Sequence, residues 1–135
     1  MNLTNEQIAN LKWRDGSRCL QLCDFILDHR LNDSQCVIGT DSQPYANFTR
    51  FVTSVCFRTG NNISFITRSF KKRHDSNFTV ERRLMKEIEI SIMIANYLTT
   101  VHSIEIIQIH ADINPNPKYR SNRCMSAAKG FVEGM

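Results

Sequence analysis

Two carboxylates of this sequence follow short apolar runs, and an acid in that position can hold a metal ion. Asp41 comes after a β-branched run that begins at Cys36, and Asp112 comes after the run that begins at Ile104. An ionised carboxylate in the middle of a buried strand is costly, whereas one at the end of a strand can face a cleft and bind a cation. A turn-capping role before Pro44 is the alternative for Asp41.

Two further carboxylates lie beside the apolar face of a predicted helix. Residues 78–101 have helical periodicity. The predicted apolar face consists of Leu84, Ile88, Ile92, Ala95 and Leu98, widened by Met85, Ile94 and Tyr97. Glu87 and Glu89 are next to this face, and a metal ion near Asp41 would give one of them a partner. Alternatively, both are solvated or pair with basic side chains of the same helix.

The elements that must position these acids are predicted to form a mixed sheet. Alternation from Phe51 to Phe57, a turn at residues 60–62 and a further strand to Thr67 predict a β-hairpin over residues 49–67. Short connections make this hairpin antiparallel to the strand that precedes Asp41. The predicted strand 104–112 follows a long helix, so a crossover makes it parallel to that same strand.

Parallel strands end at one edge of a sheet, where ligands commonly bind, so Asp41 and Asp112 are expected to come within reach of each other. His110 precedes Asp112 by two residues and is predicted to point to the same face. A structural role for this histidine is favoured over a catalytic one.

The chain is predicted to be one domain, residues 34–135, with an N-terminal helical extension, residues 1–33. A capping box at Thr4 and Gln7 predicts a first helix that ends at Asp15 and Gly16, and Ser17 is predicted to cap a second. A short helix is expected over residues 121–131.

Composition limits the classes of partner. The net charge is +4, and basic residues cluster after residue 67 and after residue 117, which favours a polyanionic partner. The five cysteines do not form a C-x-x-C pair, so buried reduced thiols are expected and zinc is not. No apolar run approaches a membrane span and no signal-peptide pattern opens the chain, so a cytoplasmic protein without a membrane partner is expected.

Three segments resemble a known family. They are IGTDSQ (38–43), RLMKEIE (83–89) and IHADINPN (109–116). Together they look like the bacterial YkuK-like family of predicted ribonuclease H-like nucleases, and the order of strands, helix and acids is similar to that of the ribonuclease H-like fold.

The resemblance implies an α/β fold and a nuclease that cleaves RNA or DNA with two metal ions. Asp41, Glu87 and Asp112 would hold Mg²⁺ or Mn²⁺, which prefer such hard oxygen ligands. Residues expected to contact the nucleic acid are Ser42, Gln43, Lys71, Lys72, Arg73, Arg120 and Arg123, the three central ones within a basic loop 68–74.

The sequence also departs from that family. Its members continue into a last strand and a C-terminal helix with a further acidic residue, and neither is expected here, so the chain is predicted to be truncated relative to them. The alternative function is a weakly active or inactive ribonuclease H-like module that binds nucleic acid or a protein partner. A different metal-dependent phosphotransfer enzyme is disfavoured because no glycine-rich phosphate loop is present.

Overall fold

The computed structural model describes residues 2–30, 33–74 and 78–110. Its elements, in chain order, are α1 (Asn5–Ala9), β1 (Trp13–Asp15), β2 (Arg18–Leu20), α2 (Leu22–His29), β3 (Gln35–Pro44), β4 (Phe48–Thr59), β5 (Asn62–Arg73), α3 (Val80–His102) and β6 (Ile106–His110). The strands form one six-stranded sheet in the order β2-β1-β5-β4-β3-β6. The predicted helix 121–131 lies outside the described residues, as do Asp112, Arg120 and Arg123.

The predicted antiparallel hairpin is confirmed. β4 pairs with β5 along its whole length, and the turn between them begins at Gly60, whose φ of +60° is accessible to glycine at little cost. β4 also pairs antiparallel with β3, from Gln35 opposite Arg58 to Pro44 opposite Thr49. The alternating sequence of β4 therefore places it at the centre of an antiparallel three-stranded unit.

The predicted parallel crossover is confirmed as well. α3 connects β5 to β6, and β6 pairs parallel with β3, with Ile109 opposite Ile38 and His110 opposite Gly39. A Cβ on Gly39 would lie 3.2 Å from the Cβ of His110, so this glycine lets the two strands approach closely.

The basic segment after residue 67 was predicted to be a loop, and that prediction is wrong. β5 continues to Arg73, because β4 offers a pairing partner for each residue from Arg68 onward. Phe70 stacks on the buried ring of Phe51, with 5.3 Å between ring centroids. Sheet pairing and this aromatic contact outweigh the polar composition on which the loop prediction rested.

The N-terminal segment is not entirely helical. α1 has the predicted capping box at Thr4 and Gln7, but it ends at Ala9. The expected continuation to Asp15 is wrong, because β1 and β2 form a small hairpin through Gly16, at φ +61°. Ser17 is likewise not a helix cap, since α2 begins after Gln21. Pairing of β1 with β5 overrides the local helical periodicity.

All described helices pack on one face of the sheet, which is called the helix face below. Its core contains Ile38 and Val55 from the central strands, Ile94 and Leu98 from α3, and the fully buried Trp13. Residues 2–30 contribute to this core and to this sheet together with the described residues that follow them. The proposed division after residue 33 stays a prediction.

The buried face of α3 differs from the predicted one by one position. Leu84, Ile88, Ala95 and Leu98 are buried as expected, but Ser91 is fully buried and Ile92 is only half-buried. Buried hydroxyl partners on the sheet accommodate this serine, as described below.

The C-terminus of α3 allows a stability prediction. Ser103 follows the helix in the left-handed conformation, at φ 55°, and Arg30 donates to the carbonyl oxygens of His102 and Ser103. Ser103→Gly should raise the free energy of unfolding by about 0.5–1 kcal/mol, since glycine adopts this conformation without a Cβ clash. Urea denaturation would measure it. Ser103→Ala, which keeps the Cβ, should bring no gain; an equal gain would contradict the conformational explanation.

Within the described ranges, every helix is too short or too polar to span a lipid bilayer.

Candidate functional site

The orientation of β3 decides where its acid points. Thr40 and Ser42 both bond side chains of α3, so they point to the helix face. Asp41 lies between them in a regular stretch of strand, and successive side chains of a strand alternate between faces. Asp41 is therefore exposed on the opposite side of the sheet, which is called the open face below.

A buried hydroxyl network lies under α3 on the helix face. The Thr40 hydroxyl is 3.0 Å from that of Thr53 and 2.8 Å from that of Ser91. About two turns nearer the N-terminus of α3, Arg83 donates to the Ser42 side chain at 2.7 Å and to its carbonyl oxygen at 3.2 Å. These bonds fix α3 on β3, because buried hydroxyls are costly without partners.

Removing the central hydroxyl should destabilise the domain. Thr40→Val would deprive the hydroxyls of Thr53 and Ser91 of a buried partner, so the free energy of unfolding should fall by about 1–3 kcal/mol. Urea denaturation measures the change. Thr67→Val provides the comparison in the same sheet, because Thr67 is only half-buried and its expected change is below about 0.5 kcal/mol. Equal effects of the two substitutions would show that the network contributes little.

The carboxylates of α3 point in different directions. Glu87 is buried on the helix face, at 4% exposure, four residues from both Arg83 and Ser91. The side chain of Glu89 is 53% exposed and lies 3.7 Å from the Lys86 ammonium. Glu87 is thus the acid that faces the sheet. Glu89 forms an ion pair with a basic side chain of the same helix, which was the alternative to metal binding.

Two of the three predicted metal ligands, Asp41 and Glu87, lie within the described residues. Asp41 and Glu87 lie on opposite faces of the sheet, and Asp112 is outside the described ranges. No group of three or more His, Cys, Asp or Glu side chains in residues 2–30, 33–74 and 78–110 could hold a metal ion. Because Asp112 lies outside the described residues, the three-acid site stays a prediction.

The open face is basic and rich in hydroxyl groups. By register, the side chains of β3, β4 and β5 that share the face with Asp41 include Arg50, Val52, Ser54, Arg58, Thr67, Ser69, Lys71 and Arg73. Arg14 of β1 joins them opposite Thr67. Among the described strand residues that point to this face, Asp41 is the single carboxylate.

The predicted contact residues divide between the two faces. Gln43 shares the open face with Lys71 and Arg73. Ser42 instead bonds Arg83 on the helix face, and Lys72 lies opposite the buried Thr49 on that same side. Successive side chains of a strand point to opposite faces, so Ser42 and Gln43, which were both predicted to contact nucleic acid, lie on different sides of the sheet.

Aromatic side chains accompany the cations. The ring of Phe48 stacks on Tyr45, with 4.8 Å between centroids, and the Lys71 ammonium lies 5.0 Å from the centre of the Phe48 ring. Phe65 is 58% exposed toward the other end of the open face. Exposed aromatic rings among cations suit stacking of unpaired bases.

A depression of about 480 Å³ lies where the N-terminal segment joins the sheet. Its lining consists of Asn10, Leu11, Lys12, Arg14, Arg50, Val52, Thr67, Arg68 and Ser69. Burial lowers the pKa of the Arg68 guanidinium, which also lies 5.5 Å from the centre of the Phe70 ring. Of the cations in this depression, Lys12, Arg14 and Arg50 were missed by the sequence analysis. Arg50 could have been found from the alternation of β4, whereas Arg14 was hidden by the helical prediction.

The described cysteines differ in their exposure to solvent. Burial, with a smaller contribution from Cys56, raises the pKa of the Cys36 thiol to about 12, so Cys36 stays protonated at neutral pH. Cys19, Cys23, Cys36 and Cys56 are free thiols. Of these four described cysteines only Cys36 is buried, so the expectation of buried thiols is wrong for the exposed Cys19.

The fold defines a class of protein: a mixed α/β domain in which a three-stranded antiparallel unit continues through a helix into a parallel strand beside β3. The family model described as Ribonuclease H-like matches residues 18–135, and the chain belongs to this ribonuclease H-like family. The match begins at β2, so α1 and β1 precede it. Searches of curated proteins and of solved structures found no significant match.

Proposed function

We propose that this chain is a ribonuclease H-like module that binds single-stranded nucleic acid across the open face of its sheet. The observation that carries the proposal is the composition of that face, where Arg14, Arg50, Lys71 and Arg73 share the sheet surface with Asp41, the single acid among the described strand residues that point there. Cations on one surface attract the phosphate backbone of a nucleic acid independently of its base sequence.

The aromatic residues favour an unpaired strand. Phe48 and Tyr45 form a stacked pair beside Lys71 at one end of the open face, and Phe65 is exposed toward the other end. Bases of a single strand can stack on such rings, whereas the bases of a duplex are already stacked on one another. Duplex and hybrid nucleic acid are therefore expected to bind more weakly than a single strand of the same length.

Binding by Asp41→Asn tests this proposal. Fluorescence anisotropy with a labelled single-stranded oligonucleotide, without added divalent metal, should show about two- to threefold tighter binding than the wild type, because a like charge leaves the path of the phosphates. Asp28→Asn is the matched control, since Asp28 lies on α2, away from the open face, where it pairs with Arg18 of β2. Weaker binding by Asp41→Asn, or an equal gain in the control, would contradict the proposal.

A metal-dependent nuclease is the second candidate function. Family membership favours it, as does the exposure of Asp41 near the end of β3, beside the parallel strand β6 that precedes Asp112 in the sequence. In this proposal, which includes the likeness to the YkuK-like proteins, Asp41, Glu87 and Asp112 would hold Mg²⁺ or Mn²⁺ and cleave RNA or DNA. Glu87 would first have to reach the side of the sheet that Asp41 occupies.

Digestion assays separate the two functions. RNA, DNA and hybrid substrates are incubated with the full chain in Mg²⁺, in Mn²⁺ and in a chelator. The binding-module proposal expects the substrates to stay intact in all three. Metal-dependent cleavage that is lost in both Asp41→Asn and Glu87→Gln would establish the nuclease instead.

A further inference from the structure

The depression between the N-terminal segment and β5 has a structural cause. β1 pairs with β5 at one position, Arg14 opposite Thr67, and the chain before it leaves the sheet toward α1 on the helix face. Residues 10–12 therefore stand away from the edge of β5 beside Arg68 and Ser69, and the gap between them is the pocket.

The side chains of this pocket favour an anion. Lys12, Arg14, Arg50 and Arg68 line it, together with Thr67, Ser69 and Asn10, and the described lining residues include no carboxylate. By strand register the side chains of Arg14 and Arg50 point to the open face, whereas Arg68, opposite Thr53, points to the helix face. The ion pairs found among the described residues involve other side chains, Arg18 with Asp28 and Lys86 with Glu89. Like charges gathered without a counter-ion repel one another, so a bound anion would stabilise this arrangement.

The amount of charge distinguishes between kinds of phosphate. An internal phosphodiester carries one negative charge, whereas a phosphate monoester carries about −1.5 to −2 at neutral pH and has three oxygens free to accept hydrogen bonds. Lys12, Arg14 and Arg50 around one pocket match the charge of the monoester better than that of the diester. Arginine forks can also bind two oxygens of one phosphate group at once.

The position of the pocket suits the end of a bound nucleic-acid strand. Lys71 and Arg50 are paired on the open face. The next pair on that face along the same two strands, Ser69 and Val52, lines the pocket. Asn10, Leu11 and Lys12 close its far side. A nucleic-acid backbone that runs along these cations would meet residues 10–12. The end of a nucleic-acid strand therefore fits the pocket more readily than the middle of one.

We propose that this pocket binds the terminal phosphate monoester of a nucleic-acid strand whose backbone lies on the open face. The inference rests on the proposed function and adds to it a recognised chemical group. Lys12 and Arg14 precede the residues matched by the family model, so this pocket depends on a segment outside that match.

The test compares strand ends with fluorescence anisotropy. Oligonucleotides of one sequence carry a 5′-phosphate, a 3′-phosphate or hydroxyls at both ends, with the label placed internally. One phosphorylated oligonucleotide should bind the full wild-type chain about tenfold more tightly than the oligonucleotide with hydroxyl ends. Whether the 5′- or the 3′-phosphate gives this gain in affinity identifies the end that is recognised. Arg14→Gln, and separately Lys12→Gln, should remove that gain; both side chains are exposed, so folding should be retained.

Arg82→Gln is the matched control, because it removes one positive charge from the exposed surface of α3 on the helix face and should keep the tenfold preference. Equal binding of all three oligonucleotides would overturn the terminal-phosphate inference while leaving the proposed function intact. Absence of binding by every oligonucleotide would refute the proposed function itself. A preference that survives in both pocket variants would also overturn the inference, since the group would then be recognised elsewhere.

Discussion

Trp13→Ala is expected to lower the free energy of unfolding by about 3–5 kcal/mol, which is a large part of the total stability of a domain of this size. Trp13 belongs to β1, is fully buried, and lies in the same core as residues of α3 and the central strands. Truncation to alanine would leave a cavity that the neighbouring strands and helices cannot fill without moving. Urea denaturation followed by circular dichroism would measure the loss.

Trp13→Phe is the informative companion. The indole N–H of Trp13 is buried and has no hydrogen-bond partner among the described residues, so phenylalanine removes an unsatisfied donor while keeping most of the apolar volume. We expect a loss well below that of the alanine variant. The comparison separates packing from the general effect of substituting a buried residue.

The result bears on whether the first 33 residues belong to the main domain. If they form an independent extension, Trp13→Ala should leave the principal unfolding transition unchanged and alter only a minor one. If they complete the core, as the pairing of β1 with β5 and the burial of Trp13 indicate, a single cooperative transition should move to lower urea concentration.

The second large effect expected is on the salt dependence of nucleic-acid binding. If the cations of the open face contact about five phosphates of a single strand, raising the salt from about 50 to about 200 mM should weaken binding on the order of a hundredfold, because each contact releases condensed counter-ions. Anisotropy titrations at several salt concentrations would give the slope of log K against log salt.

Arg50→Gln should reduce that slope by a little under one unit, since it removes one phosphate contact at the centre of the open face. Arg82→Gln, on the exposed side of α3, should leave the slope unchanged. A flat salt dependence in the wild type would show that the cations of the open face do not contact phosphates, and would refute the proposed mode of binding.

Local patterns in the sequence were enough to predict the centre of the fold. The alternation of β4, the glycine turn at Gly60 and the helical periodicity of α3 depend on neighbours within a few residues, and all three are confirmed. The length of the crossover through α3 was enough to predict a parallel partner for β3.

The errors occurred where distant partners decide the structure. Residues 13–15 and 68–73 have local preferences for helix and loop, but both became strands because β5 and β4 respectively offered edges for pairing. The helix prediction hid Arg14, and the loop prediction concealed that Lys71 and Lys72 point to opposite faces.

By itself, the sequence determined that acids and cations would lie on or beside the strands of a mixed sheet, because the spacing of apolar residues is a local property. Only the tertiary structure decided the face to which each points. α3 packs on the side of β3 that carries Thr40 and Ser42, and the alternation of side chains along the strand then places Asp41 on the other side. The cationic pocket likewise forms only when residues far apart in the chain are brought to one edge of β5.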